Sequence, residues 1–269
     1  MIELRREEVK QIELRILDYL CDVCNKNGLK IYLAYGSLLG AIRHKGFIPW
    51  DDDIDVLMFR NDYDKLITIL TETNNETYRL LSCENCRDYY YSFAKLVDTS
   101  TKLVEDSVPE ISGLGVYVDI FPLDGLPNKK RKQKSFIKKL QILNGIRWNA
   151  LDNVMQKFKG KGVFKFLKCK ICSLVGWRAC IKLSEKIIRK YNASLKYVGC
   201  LSGSISGGDC IMERELFEKQ CYVEFEKKKY PSLYEYDWFL KKMYGNYMKL
   251  PPLEQRVSNH CFRAWRIDQ

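Results

Sequence analysis

The stretch Tyr32–Met58, YLAYGSLLGAIRHKGFIPWDDDIDVLM, constrains the fold more than any other part of the chain. An apolar run from Ile31 to Tyr35 predicts a buried strand. Leu38, Leu39 and Ile42 at helical spacing then predict a short helix that starts at Ser37. A turn containing Gly and Pro leads into Asp51-Asp52-Asp53-Ile54-Asp55, which runs on into Val56, Leu57 and Met58. Successive strand residues face opposite ways, so Asp53 and Asp55 share a face while Ile54 and Val56 turn to the core. Two same-face carboxylates a residue apart repel unless a cation lies between them. Hard oxygen ligands favour Mg2+ or Mn2+ in that place. A solvated turn accounts for Asp51 and Asp52, but not for Asp55 at the root of a buried strand.

The Gly36-Ser37 pair lets backbone approach a ligand, and a helix starting there offers free N–H groups to a phosphate. The same pair is also an ordinary helix cap. The order strand, Gly-Ser, helix, paired carboxylates suits a site for a metal-bound nucleotide phosphate.

Upstream, Val9, Ile12, Ile16, Leu17, Leu20 and Val23 mark a helix over residues 7–25, stopped by Asn27-Gly28. Downstream, a helix is expected from Asn61 to Leu70, with strands at 78–81, 93–97 and 116–121. Lys95 lies among apolar residues, which leaves pairing with the acids, pairing with a donor phosphate, or an outward position on an edge strand. Tyr89-Tyr90-Tyr91 could cage a quaternary ammonium, but adjacent strand residues cannot face one way, and packing is the better reading. Asp119, between Val118 and Ile120, needs a partner of its own, whereas Asp124 before Gly125 reads as a turn residue.

Residues 129–190 carry 19 Lys and Arg against only Asp152 and Glu185, a net of +17 in a chain of +11, so the remainder sums to −6. Interleaved apolar residues make this segment an amphipathic helical insert suited to an anionic membrane surface. Nucleic-acid binding is the rival for any basic stretch, but no nucleic-acid motif accompanies it. A charged helical layer packed on the core is the plainer alternative. Residues 201–208 form the most flexible-looking stretch, a linker or a loop over the site, and Trp238 to Tyr244 reads as a helix. Arg256 could grip a phosphate as a fork, and His260 reads as structural.

No apolar run approaches the ~18 residues that span a bilayer. The start MIELRREEVK lacks an apolar signal region, so the chain is expected on the cytoplasmic side, and the basic segment leads us to expect it peripheral at the inner face of the membrane. Three Cys-x-x-Cys pairs (Cys21/Cys24, Cys83/Cys86, Cys169/Cys172) would make a zinc site if two met in space. Two of them fall in helical patterns, where cysteine serves as a small core residue.

GSLLGAIRHKGFIPWDDDIDV resembles the signature of the LicD family, within the nucleotidyltransferase-fold superfamily. Phe93-Ala94-Lys95, Val118–Asp124 and Tyr244-Gly245-Asn246-Tyr247-Met248 with Pro251-Pro252 match its further motifs, in order. The resemblance implies an α+β fold, a mixed sheet flanked by helices over residues 1–128. The basic insert (129–190) and a mainly helical C-terminal part (191–269) would complete it. It also implies a third active-site carboxylate, filled by Asp119, so that Asp53, Asp55 and Asp119 hold Mg2+ and do the catalysis. Gly36, Ser37, Arg43, Lys45, Asp52, Lys95 and Arg256 are the expected substrate-binding residues, with His44 beside them in the loop. The implied reaction moves a substituted phosphate from a CDP-alcohol to a sugar hydroxyl of a surface glycan or its lipid-linked precursor. Phosphocholine from CDP-choline, releasing CMP, is the typical case, and relatives in the fukutin group move ribitol phosphate; a CDP-glycerol donor is a further option. A nucleotidyltransferase acting on a small molecule, and a non-catalytic glycan-binding protein at the membrane, are the competing readings. Asn246 stands where the family commonly has an acid, the insert matches no family motif, and no choline cage can be read from the residues.

Overall fold

Val9, Ile12, Ile16, Leu17, Leu20 and Cys24 are buried along one side of helix α1 (Arg6–Lys26). Helical periodicity gathers these residues into one apolar stripe, which packs against the central sheet. Asn27 caps the helix and Gly28 follows with φ +64°, in the left-handed region that glycine enters at little cost. The structure is a computed structural model, and it describes residues 1–73, 75–106, 108–154, 162–191, 195–202, 211–258 and 262–267.

The chain continues through β2 (Tyr32–Leu33), α2 (Tyr35–His44), β3 (Asp55–Phe59) and α3 (Arg60–Glu72). Then come β4 (Tyr78–Leu81), β5 (Ala94–Asp98), β6 (Thr101–Glu105) and the long β7 (Tyr117–Leu126). Four of these strands lie within a residue or two of the sequence expectation at their start, and β7 runs on past Phe121 to Leu126. In the seven-stranded sheet the strands follow the order β2-β3-β7-β5-β4. β3 and β7 are parallel, and their other neighbours are antiparallel. Val56 pairs with Ile120 across this seam, both almost fully buried, so the alternate residues Asp55 and Asp119 share the other face. The far half of β7 pairs with β8 (Tyr197–Cys200), which in turn pairs with β9 (Met212–Glu213).

The basic segment builds α4 (Lys130–Val154), α5 (Gly162–Val175) and α6 (Trp177–Ile188). Leu126, Phe136, Ile137, Leu140, Ile188 and Leu201 form a second small core that fastens α4 and α6 to the end of β7. Asp124 departs from the expected turn role. It lies within β7, 1% exposed, and accepts a two-pronged hydrogen bond from Arg60 at 2.6 and 2.9 Å. Glu185 of α6 lies 3.6 Å from the same guanidinium, and Arg189 pairs with Asp64 of α3 at 2.7 Å.

The C-terminal part holds more strand than the sequence suggests. β10 (Gln220–Phe225) and β11 (Lys228–Leu233) form a hairpin, and α7 (Tyr236–Tyr244) is the α-helix among the described residues there. The hairpin turn uses Glu226 and Lys227, both at positive φ (49° and 67°), with none of the Asn-Gly signal that usually marks such a turn. β12 (Phe262–Arg266) lies between β1 (Ile2–Glu3) and β6 in a three-stranded sheet, which joins the two ends of the chain. Residues 203–208 and His260 lie outside the described residues. Among the described residues no helix is long and apolar enough to cross a membrane.

Candidate active site

Strand register assembles the acidic cluster. The parallel β3–β7 pairing sets Asp55 opposite Asp119, and the antiparallel β5–β7 pairing sets Lys95 opposite the same Asp119. Same-face neighbours across paired strands lie about 5 Å apart, so the three side chains meet. Asp53, just ahead of β3, completes the group. One carboxylate oxygen from each of Asp53, Asp55 and Asp119 lies within 4.8 Å of the others. The backbone here is pinned from both sides. Asp55 N–H donates to the Ser37 hydroxyl at 2.8 Å, Ala34 N–H to the Asp55 carbonyl at 3.0 Å, and Asp119 N–H to the Ile54 carbonyl at 2.9 Å.

Lys95 is 1% exposed, and its ammonium lies 2.7 Å from Asp119 Oδ1. The rings of Tyr117, Tyr91 and Phe93 surround that ammonium at 3.4, 4.8 and 5.4 Å from their centroids. The aromatic box of this region is therefore filled by the chain's own lysine, while Tyr89 and Tyr90 are buried as packing residues. Burial pushes the Asp55 carboxyl well up, and Asp53, Asp119 and Asp51 reinforce the shift. Burial likewise pushes Asp119 up to about 6, with Lys95 pulling in the other direction. Three ionised aspartates and one ammonium sum to −2. Charge, spacing and hard oxygen donors therefore all fit one divalent cation of the Mg2+ or Mn2+ kind. Among the described residues this is the set of three or more acid, Cys or His side chains close enough to share an ion. The three Cys-x-x-Cys pairs gather no such set, and burial keeps Cys21 and Cys24 as thiols, pushed up to about 12.

A fourth acid, Glu13 of α1, escapes the sequence reading. It is 2% exposed, its Oε2 has no hydrogen-bond partner, and burial pushes its carboxyl well up, with Asp53, Asp52 and Asp119 adding to the shift. The signal was available, since position 13 falls on the same helical stripe as Val9, Ile16, Leu17 and Leu20.

At the phosphate cradle α2 begins at Tyr35, so Gly36 and Ser37 sit inside its first turn rather than ahead of it. Tyr35 holds φ +45°, a costly conformation for a ring-bearing residue, and its ring packs edge-on against Phe121 and tilted against Phe239. A Cβ added at Gly36 would lie 2.4 Å from Asp51 Oδ2, so glycine here admits the Asp51 carboxylate. The Ser37 side chain anchors β3, which leaves only its backbone N–H facing the helix end.

A cavity of about 510 Å³ opens beside Gly36 and Asp51, lined also by Arg43, Trp50, Tyr244 and Lys249. The guanidiniums of Arg43 and Arg256 lie over the Trp50 ring at 5.9 and 5.6 Å. Arg43 donates to the Tyr247 carbonyl and to His44 Nε2, and Arg256 to the Pro251 carbonyl. Burial and then the neighbouring Arg256 lower Arg43, while burial and Arg43 lower His44. Two like charges held this close form a ready anion site. Two expected substrate residues sit elsewhere. Asp52 is 8% exposed with its carboxylate on Arg6 and Ser258, and Lys45 is exposed at the far end of α2, roughly 14 Å along the axis from Gly36.

The acidic cluster and the strands that carry it, β3 and β7, lie within a stretch that matches a nucleotidyltransferase domain model. Residues 28–144 match the family model described as LicD/FKTN/FKRP, nucleotidyltransferase domain. The chain is 30% identical over 267 residues, 98% of its own length and 99% of the relative's, to the lipopolysaccharide cholinephosphotransferase LicD of Haemophilus influenzae. It therefore belongs to the LicD family. An uncharacterised protein of Rickettsia typhi is 32% identical over 95 residues, 33% of this chain and 30% of that one.

Proposed function

We propose that the protein is a cation-dependent phosphotransferase that moves a substituted phosphate from a CDP-alcohol to a sugar hydroxyl. The acceptor is a surface glycan such as lipopolysaccharide, or its lipid-linked precursor, and phosphocholine from CDP-choline is the first donor to test. The observation that carries this reading is the convergence of Asp53, Asp55 and Asp119 within 4.8 Å, beside the Arg43-lined cavity. The name of the Haemophilus influenzae relative supports the choice of phosphocholine.

Asp53, Asp55 and Asp119 would hold the Mg2+, which when bound offsets charge on the donor pyrophosphate. The first-turn N–H groups of α2 at Gly36 and Ser37 orient the phosphates. Arg43 and Arg256, carried on the Trp50 ring, bind phosphate oxygens, and the Tyr244 ring in the same cavity offers a face to the cytosine or to the alcohol's head group. Asp119, raised to about 6 and steadied by Lys95, receives the proton of the attacking hydroxyl. The sugar oxygen bonds to phosphorus as the bond to the bridging oxygen of CMP breaks.

The purified chain, incubated with Mg2+, lipopolysaccharide and CDP-choline, CDP-ribitol or CDP-glycerol, should release CMP and leave a phospho-modified glycan. Asp53→Ala should lose at least ~1,000-fold in rate while melting as a folded protein. Pyrophosphate and a nucleotide adduct among the products would make it a nucleotidyltransferase instead. No turnover with any donor would leave a binding protein.

A further inference from the structure

The basic insert takes no part in the chemistry described above, and one of its helices is built inside out. In α5, Cys169 and Cys172 are buried, at 0% and 8% exposure, against the rest of the insert. The opposite side carries Phe164 at 92%, Leu174 at 87%, Ile171 at 63%, Val175 at 51% and Leu167 at 49% exposure. These positions recur at i, i+3, i+7, i+10 and i+11, so they share a solvent-facing stripe roughly 100° wide. Lys168 and Lys170, both exposed, fall on the two margins of that stripe. A helix packed only on a protein core shows the reverse arrangement, with its apolar side inward and its charges outward.

We infer that α5 is an interfacial anchor that seats its Phe164–Leu174 face in an anionic lipid bilayer surface. The charge of the surroundings selects that occupant. The segment 129–190 carries 19 Lys and Arg against two acids, and Lys129, Lys130, Arg131, Lys132, Lys134, Lys138 and Lys139 at the start of α4 are all exposed. An anionic bilayer suits both features, taking the apolar stripe into its acyl boundary and drawing the exposed lysines, Lys168 and Lys170 beside the stripe first, to its head groups. Nucleic acid would leave the apolar stripe unsatisfied, and a second copy of the chain would set like charges against each other. No helix among the described residues is long and apolar enough to cross the bilayer, so the attachment lies in the interface plane.

The test is co-sedimentation of the full chain with phosphatidylcholine vesicles, with and without phosphatidylglycerol. Binding should require phosphatidylglycerol, weaken as salt rises, and fall at least ~10-fold in Phe164→Asp/Leu174→Asp. Both positions are exposed and outside the active site, so this variant should keep the wild-type melting temperature and its cleavage rate on a water-soluble CDP-alcohol. Phe164→Trp should shift its emission to the blue on phosphatidylglycerol vesicles and not on phosphatidylcholine alone. Failure to bind phosphatidylglycerol vesicles overturns the inference, as does binding that the double variant leaves intact. So does a dimer in solution that the double variant dissolves, or retention on heparin without vesicle binding. None of these outcomes depends on which alcohol the donor carries.

Discussion

Lys95 places one positive charge against the aspartate cluster while a ring lies over its ammonium, so structure and site draw on it together. Replacement by methionine keeps the volume and leaves Asp119 buried without its partner. Breaking a buried pair on one side costs about 3–5 kcal/mol. We therefore expect Lys95→Met to lower urea stability by that amount in EDTA, and to recover part of it in Mg2+. The acids themselves set a pH dependence. Glu13, Asp55 and Asp119 are all raised above their unfolded values, and Asp119 reaches about 6. Their contribution to stability is complete below the unfolded values near 4 and is lost as pH rises through the folded values, about 6 for Asp119. The melting temperature of the EDTA-treated protein should fall between about pH 4.5 and pH 7, and Glu13→Gln should flatten that fall. A melt series that rises with pH across this window would contradict the placement of these acids. Much of this was legible one residue at a time. Asp55, Lys95 and Asp119 each stood out as charges inside apolar strands. Glu13 was hidden because a helix full of charges makes one inward acid easy to pass over, and Asp124 because the Gly125 beside it mimics a turn.

At the scale of elements, period-two and period-3.6 patterning placed most of the helices and sheet strands from Glu7 to Phe121, since each buries one face and polarity alternates with it. Pairing was not legible in the same way. That β3 runs parallel to β7 with Asp55 opposite Asp119 is a contact between segments about sixty residues apart, and nothing local encodes it. The sheet of β1, β12 and β6 is hidden for the same reason, because β1 and β12 come from opposite ends of the chain and β6 from between them. The turn after Phe225 uses positive φ at Glu226 and Lys227, residues that carry no turn signature. The Trp50 loop shows what assembly adds to a motif. The sequence IPWDDD names the carboxylates, but only the fold stacks Arg43 and Arg256 over the indole. Trp50→Ala should leave both guanidiniums without their platform and raise the KM for the CDP-alcohol about tenfold or more, with a smaller change in kcat. Steady-state kinetics separate that outcome from a general loss of fold, which would lower the active fraction and leave KM unchanged.

The whole molecule depends on how the basic insert is fastened to the sheet. Its small core at Leu126, Leu140 and Ile188 is supplemented by a network of charges. Arg60 grips Asp124 inside β7, Glu185 of α6 approaches the same guanidinium, and Arg189 closes back onto Asp64 of α3. Arg60 and Asp124 are 7% and 1% exposed, so neither can be hydrated if its partner is lost. Asp124→Ala should therefore cost about 3–5 kcal/mol, which for a chain of this size lowers the melting temperature by roughly 10 °C. Glu185 is a weaker member, since burial raises its carboxyl against the pull of Arg60, and Glu185→Gln should cost less than Asp124→Ala. Arg60→Met/Asp124→Leu removes both charges at once and leaves apolar groups of similar size, so most of the single-variant loss should return. Hydrogen exchange locates the effect. In Asp124→Ala, α3 and α6 should exchange faster while the stripe of α1 keeps its protection, because the network joins the insert to α3 and not to the N-terminal helix. Uniform loss of protection across the chain would mean that insert and sheet unfold as one unit. Unchanged protection in α4–α6 would mean that the small core rather than the charges holds the insert in place.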